Sequence, residues 1–255
     1  MKKLILYFFV GCACITQTTK AQSPDAVIDV QHYGFNIQLS DATDNIKGKA
    51  DIAVKFLKTP GSFKIDLVKK NSEGKGMTVS RVLENGKAVR FQQDEDAVII
   101  YTKATENTLK TYSITYQGIP ADGLIISKNK FGKRTFFGDN WPNRAHNWLP
   151  CVDEPADKAS VDFTVTAPDH YQVVANGVKK GTDVALPDQL KTTRWTETAQ
   201  LPTKVMVIGV AEFAIDHPKD VDDIPIYTYV FPENAAAGFR SYAIAGEILP
   251  FFIKN

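Results

Sequence analysis

Apolar side chains recur at every second position along most of this chain, and that period decides which folds are open to it. Tyr33, Phe35, Ile37 and Leu39 alternate with His32, Asn36 and Gln38. The rhythm returns in Ile46, Ala50, Ile52, Val54 and Phe56, in Phe63, Ile65 and Leu67, in Ala97–Tyr101, in Tyr112–Tyr116 and in Val161, Phe163 and Val165. A period of two puts one face of a strand in a core and the other in water. Turn signals separate the runs: Thr59-Pro60-Gly61, Asn85-Gly86 between Arg81–Leu83 and Ala88–Phe91, and Asn176-Gly177 after Tyr171–Ala175. The two Asn-Gly pairs predict hairpins. With no helical period over this stretch, the expected fold is all-β, an antiparallel sandwich or saddle-like sheet.

The grammar changes near residue 221. Four aspartates (Asp216, Asp220, Asp222, Asp223) with Pro218 read as a solvated linker, and Ile224–Phe231 reads as a strand. Pro232-Glu233 then opens a helix, with proline in the first turn and an acid at the positive end of its dipole. Ala236, Phe239, Ala243 and Leu249 give this helix an apolar face, with a kink expected at Pro250. One strand and one helix cannot bury their own apolar faces, so a second domain is expected to begin here, with residues 221–255 as its truncated start and 22–220 as the β-domain.

Residues 1–21 have the layout of an export signal: Lys2 and Lys3, an uncharged run from Leu4 to Ile15, then polar residues up to Ala21. Cleavage there would leave Gln22 first. The run is too short to span a membrane. The expected location is periplasmic or extracellular, with a lipid anchor on Cys12 as the alternative. Removal of Cys12 and Cys14 with the leader would leave Cys151 alone, and one thiol makes no internal disulfide. Thirty basic and 29 acidic residues give a net charge of +1, which provides no field for steering nucleic acid.

Residues 136–160 concentrate special side chains: Trp141, Trp148, Pro142, Pro150, Pro155 and Cys151. The prolines exclude regular structure and predict an ordered loop pinned by aromatics. Its chemistry is sparse. Cys151 beside His146 and Asp153 invites a thiol nucleophile, yet among Leu149, Pro150 and Val152 it reads as a small buried hydrophobe. Asp153 reads as a cap on backbone amides, its charge balanced by Lys158 or Arg144. A metal site built on one helix face needs histidines four residues apart, and His32, His146, His170 and His217 contain no such pair. No catalytic residue and no metal ligand is therefore expected in this chain.

Leu149-Pro150-Cys151-Val152-Asp153-Glu154-Pro155-Ala156-Asp157-Lys158 resembles the Pro-Cys-x-Asp-Glu-Pro-x-x-Lys signature of the N-terminal β-domain of the aminopeptidase N family, zinc metallopeptidases of the gluzincin type. Trp195-Thr196-Glu197-Thr198, Leu201-Pro202-Thr203 and Val207–Phe213 look like that domain's closing strands. The resemblance covers roughly residues 28 to 255 and implies several things. The parent would be an exported zinc aminopeptidase acting on peptides with a free N-terminus. Its zinc ligands would lie outside this chain, in a thermolysin-like α/β catalytic domain that would be this chain's partner, begun here by a strand and a helix. The β-domain would cap the active site, and the loop before the signature would offer a Gln or Glu to the substrate's amino group. Ungapped counting puts that position on Trp141, a departure from the family pattern; Asp139 or Asn140 could supply the acceptor, with Trp141 as an apolar wall. A non-catalytic secreted β-sandwich binding or scaffold module is the competing reading.

Overall fold

The structure, a computed structural model, describes residues 26–218 and 220–254. The leader expected at 1–21, with Cys12, lies outside the described residues. The first half of the chain contributes β1 (Ile28–Gln38), β2 (Ile46–Phe56), β3 (Ser62–Asp66), β4 (Gly76–Glu84), β5 (Lys87–Ala88), β6 (Phe91–Gln93), β7 (Ala97–Tyr101), β8 (Leu109–Ile119), β9 (Leu124–Lys128) and β10 (Arg134–Gly138). After the proline-rich loop come β11 (Lys158–Pro168), β12 (Gln172–Ala175), β13 (Val178–Lys179), β14 (Val184–Leu186), β15 (Leu190–Pro202) and β16 (Ile208–Ala211).

These strands form an all-β fold of three sheets. The largest runs β13-β15-β11-β1-β2-β8-β4-β5, with β14 also on β15; a four-stranded sheet runs β12-β16-β10-β9 and a three-stranded one β3-β7-β6. Pairing is antiparallel except between β1 and β11, where Phe35 stands beside Phe163 in parallel register. That one parallel contact joins two antiparallel blocks far apart in sequence, which no hairpin could do.

The period of two is visible in the burial: along β2, Ile46, Ala50, Ile52, Val54 and Phe56 are buried while Lys47, Lys49 and Lys55 are exposed. All three sheets feed one core. Phe63 of β3 meets Phe56 and Tyr112 edge-on, with ring centroids 5.3 and 4.8 Å away. On the other side, Trp195 of β15 donates its indole N–H to the Val173 carbonyl of β12 at 3.0 Å.

Of the two Asn-Gly turns, Asn85-Gly86 makes the expected hairpin, with Leu83 opposite Ala88 and both turn residues at positive φ. Asn176-Gly177 does not. Its flanking strands enter different sheets, β12 pairing with β16 and β13 with β15. Gly177 turns at φ 84° where a Cβ would lie 2.0 Å from the Thr196 carbonyl oxygen, and the Asn176 side chain bonds Val205 O and Val207 N instead of closing a two-strand turn. A turn motif encodes a change of direction; the partner strand is chosen by the core.

The aspartate-rich stretch is paired where an open linker was expected. β17 (Ala214–Asp216) pairs with β20 (Thr228–Val230), and β18 (Asp220–Val221) with β19 (Ile224–Pro225), across a turn that holds Asp222 and Asp223 at positive φ. Aspartate tolerates that region through local hydrogen bonding of its short side chain. The strand read over 224–231 is accordingly split in two. Beyond it, a 3-10 turn (Pro232–Asn234) leads to α1 (Ala235–Tyr242) and α2 (Ala245–Lys254). The helical path breaks at Ala243–Ile244, ahead of α2, and not at Pro250, which lies inside α2. Gly238 lets α1 approach Val230, yet neither helix contains a buried side chain. Among the described residues no helix is long and apolar enough to cross a membrane.

Candidate functional site

The loop between β10 and β11 is built from the inside outwards. Trp148 is fully buried and donates its indole N–H to Asn140 Oδ1 at 2.9 Å. Asn140, also buried, spends both amide hydrogens on carbonyls of the neighbouring segment, Thr203 O at 3.1 Å and Met206 O at 2.7 Å. A buried amide so satisfied is a clamp, because each of its groups would be costly to leave unpaired. Gly123, at φ 76°, is what allows this closeness: a Cβ there would stand 2.2 Å from Arg144 O and 2.9 Å from the Trp148 ring.

The signature forms a second clamp. Cys151 and Asp66 exchange backbone hydrogen bonds at 2.7 and 3.1 Å, sewing the loop to the end of β3, and the Tyr33 hydroxyl accepts from Val152 N–H. Asp153 receives His146 Nδ1 at 2.6 Å, His146 N–H at 3.2 Å and the Thr203 hydroxyl at 2.8 Å. Asp153 thus caps an amide as expected, but the side chain paired with it is that of His146. Arg144 is engaged elsewhere, with Asp139 and Asp122, and Lys158 is exposed.

The electrostatics follow from burial and pairing. The hydrogen bond to Asp153 raises the His146 pKa despite its desolvation. Burial pushes Asp153 up, but the His146 and Thr203 hydrogen bonds prevail and hold it below the usual carboxylate range. Asp66 is raised, chiefly by burial. The Cys151 thiol is pushed well up by burial and then by the surrounding carboxylates Asp153, Asp66 and Asp157, the opposite of what a thiolate nucleophile requires.

The three residues singled out from sequence are consecutive but face different surroundings. Asp139 is half-exposed and paired through Oδ2 with Arg144 at 2.5 Å. Asn140 is committed to the clamp. Trp141, 62% exposed, follows at a cis peptide bond to Pro142, with Lys204 Nζ 4.6 Å from its ring centroid. Arg144 also donates to Trp141 O at 2.6 Å, so one guanidinium fixes both exposed members. Sequence reasoning missed Lys204, Thr203 and Asp66 as parts of this site. Thr203 ends the recognisable Leu201-Pro202-Thr203 stretch and Lys204 follows it, so both had a signal; Asp66 had none. Among the described residues no three His, Cys, Asp or Glu side chains converge as a metal site.

A family profile described as the Peptidase M1 N-terminal domain matches residues 29–205. Human aminopeptidase N is 30% identical over 112 residues, 42% of this chain and 12% of its own length. Probable aminopeptidase 2 of Sulfurisphaera tokodaii is 23% identical over 181 residues, 69% of this chain and 22% of its own. Among solved structures, the M1 zinc metallopeptidase of Deinococcus radiodurans superposes with a TM-score of 0.66 at 23% identity, covering 79% of this chain and 46% of that one. At that identity the likeness speaks for the fold. This chain thus spans about half of that solved enzyme and under a quarter of these two curated relatives.

Proposed function

This chain belongs to the peptidase M1 N-terminal domain family, and from that premise we propose that it is the N-terminal portion of an exported zinc aminopeptidase, with the loop at 138–148 positioned at the substrate's amino end. The β-domain, about 22–220, caps an active site whose zinc ligands belong to a catalytic domain begun at 221–255. The substrates are peptides with a free N-terminus. One observation carries the reading: of three successive residues, Asn140 is locked inside while Asp139 and Trp141 are held at the surface by Arg144. A loop this tightly clamped, presenting one carboxylate beside one indole, suits a ligand with an ammonium next to an apolar side chain. The carboxylate can accept from the ammonium while keeping Arg144, since it has lone pairs for both. The indole supplies an apolar wall.

The test is steady-state kinetics of the enzyme that contains this chain. Losing one charge-assisted hydrogen bond to a ground-state ammonium costs about 1.5–3 kcal/mol, roughly 10- to 100-fold in affinity. Asp139→Ala should therefore raise KM for amino-acid amides by about that factor with kcat little changed. Unaltered KM removes Asp139 from the site.

A further inference from the structure

Only one face of the large sheet is covered. The other is aligned by register into continuous rows across six strands, from β15 through β11, β1, β2 and β8 to β4. One row reads Arg194, Thr164, Asn36, Lys49, Thr115, Arg81. In the next, Gln38, Lys47 and Gln117 lie side by side. Residues paired in this way point to the same side. At the usual strand spacing the first row is about 24 Å long. The middle of both rows is dished into a groove of about 420 Å³ lined by Asn36, Gln38, Lys47, Lys49, Gln117 and Thr164 among others.

The charge along these two rows is of one sign. Lys47, Lys49, Arg81 and Arg194 are all exposed. The neighbouring row contains two acids, Asp51 and Asp162. Lys49 pairs with Asp51 at 2.9 Å, and Asp162 faces His32 at 3.6 Å. Lys47, Arg81 and Arg194 have no carboxylate partner among the described residues. A surplus of cations interleaved with carboxamides and hydroxyls calls for a partner that is anionic and rich in hydroxyl groups.

The same rows argue against other occupants. They offer no aromatic platform on which a base could stack and no large aliphatic anchor for a peptide or an acyl chain. Their backbone groups are consumed by the sheet ladders, so a strand could not add to them. A flat bilayer could not follow the groove between the two rows. The geometry points to a linear acidic polysaccharide, bearing carboxylate or sulfate groups, lying along the Arg194–Arg81 row of this domain. Tethering of this kind would be independent of peptide hydrolysis.

Affinity electrophoresis of the full chain, at low and high salt, tests this with heparin fragments and polygalacturonate as probes. Dextran, polyglutamate and phosphatidylglycerol vesicles serve as comparisons. The expected result is retardation by both acidic polysaccharides and not by dextran. It should weaken with salt and fall about tenfold in the Lys47→Glu/Arg194→Glu variant, as charges screened over roughly 10 Å should. Lys128→Glu, on the four-stranded sheet, should bind as the wild type does. All three positions are exposed, and thermal melting checks the fold; should the reversal disturb it, Lys47→Gln/Arg194→Gln replaces it, with a smaller loss. Failure of both polysaccharides to bind, equal retardation by dextran, or indifference to substitution at positions 47 and 194 each overturns the proposal. Polyglutamate or vesicles binding as tightly as the polysaccharides also overturns it, and assigns the face to an acidic peptide or a lipid surface.

Discussion

Replacing Asn140 with alanine removes three hydrogen bonds at one stroke, and the consequences differ bond by bond. The Trp148 indole N–H loses its acceptor in a position without water access. Met206 O loses the 2.7 Å donation. Thr203 O keeps a partner, because Met206 N–H also donates to it at 3.0 Å. Two groups are thus left buried and unpaired, each costing about 1–3 kcal/mol. With the smaller loss at Thr203, the total comes to about 3–5 kcal/mol. That is a large part of the roughly 5–15 kcal/mol that holds a domain together. For a chain of this size it corresponds to a fall in Tm of about 10 °C. Thermal unfolding by circular dichroism reads it directly. A double-mutant cycle isolates the indole term: with Trp148→Phe already in place there is no N–H to orphan, so Asn140→Ala should cost about 1–2 kcal/mol less. A single-variant loss under about 1 kcal/mol, or strict additivity in the cycle, would refute the clamp.

Three further outcomes follow from the same structure. The His146–Asp153 pair has a definite sign with pH: the raised histidine stabilises below its ordinary pKa and loses that contribution as pH rises through the folded value, while the lowered carboxylate loses its own as pH falls through its folded value. Denaturant titrations across pH should show stability declining as pH rises above the ordinary histidine pKa in the wild type and a flatter profile in His146→Gln; parallel profiles would show that the pair is not linked to folding. Cys151 should resist thiol reagents in the native state and react on unfolding, and native labelling at the rate of a free thiol would contradict its burial. Gly118→Ala would put a Cβ 2.1 Å from Gly76 O and should cost about 3 kcal/mol, whereas Gly34→Ala, with its nearest neighbour at 3.6 Å, should be mild; similar melting temperatures for the two would disprove the close approach of β4 to β8.

Much of the site's framework could be read along the chain. Trp148, Leu149 and Cys151 are the apolar members of a proline-punctuated loop, and burying them requires the loop to be ordered. What local reasoning could not reach is who meets whom. His146, rather than Lys158 or Arg144, is the side chain paired with Asp153, because the loop's short 3-10 turn brings both its ring and its amide to that carboxylate. Asp139 and Asn140 are adjacent polar residues of similar size, and only their packing separates a surface carboxylate from a buried clamp. The same applies to Asn176-Gly177, whose chemistry guarantees a turn but leaves open which sheets its flanks join.

The amino-acid order determined which side chains must be buried: a period of two, repeated over most of the chain, leaves no stable alternative to layered sheets, because any other backbone would bury lysines and expose phenylalanines. The tertiary structure decided the neighbours. Parallel contact between β1 and β11, the convergence of Asn140 with Thr203 and Met206, and the alignment of Arg194 with Arg81 across six strands all join residues far apart in sequence. Such pairings depend on how whole sheets share one core, a collective property that a local pattern does not contain.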